Sequence, residues 1–165
     1  MNDDAIFERL EQLGLELPPP PSAVAAYVPC VVHGGLAVVS GQVPTVDGVV
    51  LHPGHLGDRV DVDEGAEAAR RAALQALSAL HHALGGSFAR LERIVQVTVY
   101  VASVPGFVDH PKVANGASEL LVDVLGDRGQ HARAAIGMAS LPLGASVEVA
   151  VTAAVHAAEG SAREA

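Results

Sequence analysis

HARAAIGMASLPLGASVEV, residues 131–149, predicts two strands joined by a turn. The short apolar run over residues 133–138 is typical of the first strand, and the Pro and Gly within residues 141–144 are typical of the turn. After the turn, valines at 147, 149 and 151 alternate with Glu148, Ala150 and Thr152, which is the two-residue period of a strand with two different faces. Glu148 is therefore expected to point away from the valine face.

Arg133 and Glu148 are charged residues inside an apolar C-terminal segment. Charged side chains are seldom fully buried unless they are paired or functional. The planar guanidinium of Arg133 is suited to binding a carboxylate with two hydrogen bonds, and Glu148 could accept a proton or orient a water. On residue types alone, a structural salt bridge between the two residues, or two charges at strand ends in contact with solvent, is the favoured explanation.

The size and composition of the chain restrict its function. A chain of 165 residues fits one domain with a sizeable core. Half of the residues are apolar but only 3% are aromatic, so Ala, Val and Leu must build the core, and a platform for stacking bases is not expected. A net charge of −9 without a run of basic residues argues against nucleic acid, because phosphate binding relies on clustered Lys and Arg.

The single cysteine, Cys30, cannot form an intrachain disulfide, which favours a reducing compartment. The acidic start of the chain and its lack of a long apolar run predict neither a secretory signal nor a membrane span. We therefore expect a cytoplasmic protein that binds no membrane. Cys30 stands in no recognisable relation to a His or an acidic residue, and is expected to be a small core residue.

The eight histidines do not have the spacing of a structural zinc site or of an HExxH motif, so no metal site is predicted. His52 and His55 fall in a predicted loop, and His81 and His82 are adjacent on a predicted helix, so their side chains diverge. Two further histidines, at 110 and 131, could border a pocket.

The chain divides into three predicted segments. Residues 1–21 form a short amphipathic helix (residues 4–15) followed by a four-proline linker, residues 22–156 form the main domain, and residues 157–165 form a flexible tail. Within the main domain, strands are predicted over residues 23–32, 36–39, 49–51, 94–101, 133–138 and 147–152. Helices are predicted from Asp61 or Asp63 to Gly85, and from His110 to Gly126.

This order of elements predicts an α+β fold, a two-layer sandwich in which two helices cover one face of a mixed six-stranded sheet. Alanines on the first long helix would let it lie close against the sheet. The other face of the sheet has no helix to cover its apolar residues, which points to a homo-oligomer.

Several motifs stand together in the order and spacing of one protein family. They are Tyr27, VSGQVP at 39–44, the Ala-rich helix at 67–84, VTVYV at 97–101, Asn115, Arg133, Leu141-Pro142 and VEV at 147–149. Through these motifs, over about residues 22–156, the sequence resembles the RidA/YjgF/YER057c/UK114 family, whose members are also labelled L-PSP-type endoribonucleases.

The resemblance implies a chorismate-mutase-like fold and a homotrimer with pockets at the subunit interfaces. In the family's deaminases, an arginine binds the carboxylate of a reactive 2-imino or enamine acid, such as 2-aminoacrylate. A glutamate helps a water attack the imine carbon, which releases ammonia and leaves a 2-keto acid. No cofactor is involved.

The resemblance assigns roles to individual residues. It implies catalytic roles for Arg133 and Glu148. It implies substrate-binding positions at Tyr27, Ser40, Gly41, Asn115, Arg133 and Ala135, the last through its backbone amide. The N-terminal helix, the proline linker, the loop at 52–58 and the approach at 126–133 depart from the well-studied deaminases and indicate a distinct branch.

Two other functions remain open. A non-catalytic or differently specific trimer that binds small carboxylates would need Arg133 alone, with Glu148 in a structural role. Ribonuclease activity is suggested only by a family label, and the acidic charge and scarcity of aromatic residues argue against it.

Overall fold

The computed structural model describes residues 3–20 and 26–157. Its helices are α1 (Asp3–Gln12), α2 (Val62–Ala83) and α3 (His110–Leu125), and its strands are β1 (Cys30–His33), β2 (Leu36–Gln42), β3 (Thr45–Val46), β4 (Val49–Val50), β5 (Leu91–Ala102), β6 (Ala132–Met138) and β7 (Val147–Val155). The strand predicted over residues 23–32 begins at Cys30. Its residues 23–25, the predicted domain boundary at 21/22 and the tail beyond 157 lie outside the described residues.

Five strands form one mixed sheet in the order β1-β2-β7-β5-β6. Neighbours are antiparallel except β5 and β6, which run parallel because the crossover through α3 connects them. The two-layer α+β class is confirmed, but the sheet has five strands instead of six. The strand predicted over residues 49–51 is not part of this sheet. It pairs with Thr45–Val46 as a separate two-stranded ribbon, because Asp47 and Gly48, both at positive φ, reverse the chain within two residues.

The core lies between this sheet and the layer formed by α2 and α3. Alternate valines of β5 and β7 are buried against the helices. A capping box starts α2: the Asp61 carboxylate accepts the Glu64 N–H, and the Glu64 carboxylate accepts the Asp61 N–H. The helices approach closely, because a Cβ on Gly116 of α3 would overlap the carbonyl of Ala66 on α2.

The N-terminal helix α1 packs against this helix layer. Its Ile6 and Leu10 are buried, and the ring of Phe7 meets the ring of His81 edge-on at 5.6 Å. The Asp3 carboxylate accepts the Phe88 N–H at 2.9 Å. The helix ends at Gln12, earlier than the predicted residue 15, because the chain turns at Gly14, which has a φ of 67°.

The face of the sheet opposite α2 and α3 carries exposed apolar side chains. Val31 and Val38, which are paired across β1 and β2, are 52% and 50% exposed, and Ile136 of β6 is 42% exposed. We call this surface, with Tyr100 of β5, the open face. In the described part of the chain, no helix is both long and apolar enough to cross a membrane.

Candidate functional site

Arg133 lies on β6, the edge strand of the sheet, and faces the helix layer. It pairs in register with Val97, whose side chain is buried under the helices, so the two side chains share that face. The guanidinium is exposed at the rim of α3. Its Nη1 donates to Asn115 Oδ1 at 2.9 Å and to Ser118 Oγ at 3.1 Å, and its Nη2 donates to the Pro111 carbonyl at 3.3 Å.

All three acceptors of the Arg133 guanidinium are neutral. Within residues 3–20 and 26–157, no carboxylate forms an ion pair with it. The structure therefore rules out a salt bridge between Arg133 and Glu148 within one chain. Both Nη1 hydrogens are used, so Nε–H and one Nη2 hydrogen are left for a ligand. An oriented guanidinium with an uncompensated charge and two free donors is suited to binding a carboxylate.

Ser118 continues the hydrogen bonding of Arg133 toward the loop before β6. Its Oγ lies 3.0 Å from His131 Nε2, and His131 Nδ1 lies 2.6 Å from the Gly129 carbonyl. Burial and the nearby Arg133 charge lower the pKa of His131, although the hydrogen bond to Gly129 opposes them. The Gly129 carbonyl can only accept, so the proton of a neutral His131 ring lies on Nδ1, and Nε2 accepts from the Ser118 hydroxyl.

Glu148 lies on β7 and faces away from α2 and α3. It pairs in register with Tyr100, and it is flanked by the buried Val147 and Val149, so its own side chain is on the open face. The carboxylate is half-buried, and desolvation raises its pKa. No ion pair or hydrogen bond reaches it from the residues that the structure describes.

Gly41 of β2 makes room for the Glu148 carboxylate. A Cβ at position 41 would overlap Glu148 Oε1, and each of the three atoms nearest to that Cβ belongs to Glu148. Gly41 has no positive φ, so its backbone conformation does not require glycine. A glycine is needed at this position because any side chain would occupy the space of the Glu148 carboxylate.

Ser40 and Tyr27 lie near Gly41 at the same end of the sheet. The Ser40 hydroxyl donates to the Val28 carbonyl at 2.8 Å, which fixes the segment that carries Tyr27. Tyr27 is 47% exposed. With Gly41 it lines a cavity of about 480 Å³ that also borders the proline linker. Arg133 is outside this cavity.

Ala135 and Gly137 follow Arg133 on the helix-facing side of β6, where Ala135 packs against the core. His110, at the start of α3, lies over Gly137 so closely that a Cβ there would collide with its Nε2. The same Nε2 lies 3.1 Å from Ser103 Oγ. Small residues on β6 thus leave room for α3 and for the groups around Arg133.

The predicted site residues form two groups within one chain. Arg133 and Ala135 lie on the helix-facing side of β6 beside Asn115 of α3, whereas Glu148 lies on the open face against Gly41. Gly41 follows Ser40 on β2 and lines a cavity with Tyr27. Sequence reasoning missed Ser118 as a partner of Arg133. The available signal was its position three residues after Asn115 on the predicted helix, which places both side chains on the same helix face.

No three His, Cys, Asp or Glu side chains are grouped to hold a metal ion in the part of the chain that the structure describes. His52 Nε2 instead lies 2.7 Å from the Glu67 carboxylate. Cys30 is half-buried at the start of β1, where desolvation raises its pKa and makes it a poor nucleophile.

The sequence and the fold are similar to known proteins over nearly their whole length. The family model described as YjgF/chorismate mutase-like, putative endoribonuclease, matches residues 7–155. Protein TCP17 of Trypanosoma cruzi is 44% identical over 145 residues, 87% of this chain and 90% of that protein. Protein Atu1372 of Agrobacterium tumefaciens, whose crystal structure is described as having unknown function, is 42% identical with a TM-score of 0.88 and covers 93% of this chain and 94% of its own. A putative endoribonuclease from Shewanella oneidensis is 33% identical with a TM-score of 0.86, covering 90% of this chain and 98% of its own.

Proposed function

Because the chain belongs to the YjgF/chorismate mutase-like family, as its motifs predicted, we propose that it is a hydrolase of 2-imino and enamine acids of the 2-aminoacrylate type. The products are a 2-keto acid and ammonia, and the proposed reaction uses no cofactor. The observation that carries this proposal is the Arg133 guanidinium, which is exposed, held by three neutral acceptors and unpaired with any carboxylate of the described residues.

Arg133 binds the substrate carboxylate in this mechanism. Its free Nε–H and Nη2 hydrogens match the two oxygens of one carboxylate, and the backbone amide of Ala135, two residues further along β6, assists. Fixing the carboxylate also fixes the adjacent imine carbon. Because an imine hydrolyses in water once it is positioned, orientation supplies much of the rate.

Glu148 orients the attacking water and accepts its proton. The water oxygen adds to the imine carbon, and Glu148 returns the proton to the imine nitrogen, which gives a carbinolamine. The hydroxyl proton of the carbinolamine then passes to the nitrogen as the C–N bond breaks, which releases ammonia and leaves the 2-keto acid. A glutamate with a raised pKa suits this task, because its basicity lies closer to neutral pH than that of an exposed glutamate.

Two copies of the chain must contribute to one site under this proposal, because Arg133 and Glu148 lie on opposite faces of their own sheet. The open face supplies an apolar contact surface for such an assembly. We propose a homotrimer in which Glu148, Gly41, Ser40 and Tyr27 of one subunit approach Arg133 of the next. Its single cysteine is in keeping with a cytoplasmic protein.

A trimer that binds small carboxylates without turnover is the second candidate. It is favoured by one observation: the Arg133 anchor is complete within a single chain and needs nothing from Glu148. Ribonuclease activity, which the family description includes, is disfavoured by the net charge of −9.

The test is a coupled assay with the purified full-length chain. An amino-acid oxidase generates a 2-imino acid in solution, and keto-acid release is measured against the spontaneous rate. Arg133→Ala should lower kcat/KM by at least about 100-fold, because two charge-assisted hydrogen bonds are lost. Glu148→Gln should lower kcat by about 10²- to 10⁴-fold.

Matched controls are Arg59→Lys and Glu92→Gln, exposed charges away from both groups, which should retain wild-type rates. Wild-type protein that binds pyruvate through Arg133 but leaves the imine at its spontaneous rate would favour the binding trimer. RNA cleavage that is sensitive to salt and lost in Arg133→Ala would instead favour the ribonuclease.

A further inference from the structure

We propose that Ser118 and His131 are positioning residues for Arg133: His131 fixes the direction of the Ser118 hydroxyl, and Ser118 in turn leaves one edge of the guanidinium free for the ligand carboxylate. This inference rests on the proposed function, in which Arg133 binds a carboxylate. It adds two residues to which the resemblance assigned no role.

The three hydrogen bonds run in series and in one direction. Arg133 Nη1 donates to Ser118 Oγ at 3.1 Å, the Ser118 hydroxyl donates to His131 Nε2 at 3.0 Å, and His131 Nδ1–H donates to the Gly129 carbonyl at 2.6 Å. The last step selects the tautomer, because a backbone carbonyl can only accept. Nε2 must then accept, so the Ser118 proton is held away from Arg133 and the lone pairs of Ser118 face it.

The surroundings of His131 keep its imidazole neutral. It is half-buried between α3 and β6, and burial and the Arg133 charge act together to lower its pKa. From α3 it meets the uncharged Ser118, from the preceding turn the Gly129 carbonyl, and from the strand that follows it, β6, the charge of Arg133. A protonated imidazole would place a second positive charge beside the guanidinium, which Coulomb repulsion disfavours.

The consequence for the anchor is geometric. Asn115 and Ser118 together use both Nη1 hydrogens, so the end of the guanidinium formed by Nη1 and Nη2 cannot grip a carboxylate with both nitrogens. The side formed by Nε and Nη2 remains. An arginine side chain loses rotamer entropy when it is ordered, and two fixed acceptors on Nη1 reduce how much of that entropy must be lost when a ligand binds.

Substitutions at two positions separate this role from general packing. Ser118→Ala removes the hydroxyl, and Ser118→Thr keeps it. His131→Asn keeps a donor near the Nδ1 position but offers no acceptor near Nε2, whereas His131→Gln can place an amide oxygen there. Ser87→Ala and His82→Gln are matched controls, since Ser87 caps a turn at Ala89 and His82 is exposed on α2.

The readouts are KM and kcat for the imino acid, the Kd for pyruvate, and the ¹⁵N signals of the His131 ring. Ser118→Ala and His131→Asn should raise KM and Kd by about 5- to 10-fold, as expected for one lost hydrogen bond, with kcat within about twofold. Ser118→Thr and His131→Gln should restore wild-type values. Ring signals should show the Nδ1-protonated tautomer in both the wild type and Ser118→Ala, because the Gly129 carbonyl selects it, whereas the Nε2 signal should shift in Ser118→Ala as its hydrogen-bond donor is lost.

Unchanged KM and Kd in Ser118→Ala and His131→Asn would overturn this inference while leaving the proposed function intact. Absence of both pyruvate binding and turnover in the wild type would overturn the proposed function. The ring signals then test the hydrogen bond between Ser118 and His131 separately, because an Nε2 signal that is unaffected by Ser118→Ala shows that the two side chains are not coupled.

Discussion

Arg133 and Glu148 lie on opposite faces of one sheet, separated by strand β5. Arg133 pairs with Val97 on the side of the helices, and Glu148 pairs with Tyr100 on the open face, three residues further along the same strand. No rotamer change can bring the two groups together through a packed sheet. Any reaction that needs both must take place between two copies of the chain.

The first prediction is complementation between two inactive variants. Arg133→Ala and Glu148→Gln subunits should each be inactive alone, whereas trimers in which they are mixed one to one should recover about a quarter of the wild-type activity, because one interface in four has both groups intact. The measurement is imine hydrolysis after the two proteins are unfolded and refolded together. Activity that stays at the level of the separate variants would exclude a site shared between subunits.

Gly41→Ala should disturb the site through Glu148 alone. The new methyl group would overlap the Glu148 carboxylate, so the side chain must move, at a cost of about 1–3 kcal/mol in the free energy of unfolding, and imine hydrolysis should fall. In the double variant Gly41→Ala, Glu148→Ala, the overlapping atoms are gone. Denaturant unfolding should therefore show that Gly41→Ala lowers the stability of the wild type but has little effect in a chain that already carries Glu148→Ala. Losses of stability that simply add in the double variant would contradict this explanation.

The periodicity of the sequence predicted the main elements, because their signals are local. The alternating valines place Glu148 opposite the valine face, and the Asp61–Glu64 capping box starts α2 where an N-cap was expected. The isolated ribbon was misread as part of the main sheet. Its valines have ordinary strand character, and only the turn at Asp47-Gly48 determines which strand they pair with.

The face occupied by Arg133 could not be predicted from the sequence. Strand β6 has small residues on both of its sides, so it lacks the alternation that assigned Glu148, and its face depends on the register with β5. The link from Arg133 through Ser118 to His131 is also tertiary, because it forms only when α3 crosses beside β6. Sequence reasoning therefore singled out Arg133 and Glu148 but could not predict that they lie on opposite faces of the sheet.

The open face should hold the subunits together. Val38 is half exposed in the single chain, and a lysine at this position would place a charge in an apolar interface, where burial without a partner costs several kcal/mol. Val38→Lys should therefore lower the mass measured by light scattering about threefold, from trimer to monomer, and abolish imine hydrolysis. Val49→Lys, at an exposed site on the β3–β4 ribbon, is the control and should leave the mass unchanged. A wild-type protein that is monomeric, or a Val38→Lys trimer, would contradict the proposed assembly.

Glu148 should reduce stability at neutral pH, as the counterpart of the role proposed for it as a base. Desolvation raises its pKa in the folded chain, so between the ordinary pKa of a glutamate and the raised value the folded state binds more protons than the unfolded state. Stability contributed by this residue therefore falls as pH rises through that window, and the penalty is complete above it.

Glu148→Gln removes the charge and keeps the shape, so its midpoint of urea unfolding should exceed that of the wild type at pH 7 and match it at a pH below the ordinary glutamate value. Glu92→Gln, at an exposed position, should show no such difference at either pH. Equal midpoints for Glu148→Gln and the wild type at pH 7 would mean that the carboxylate is well solvated, which would remove the physical basis for its role as a base.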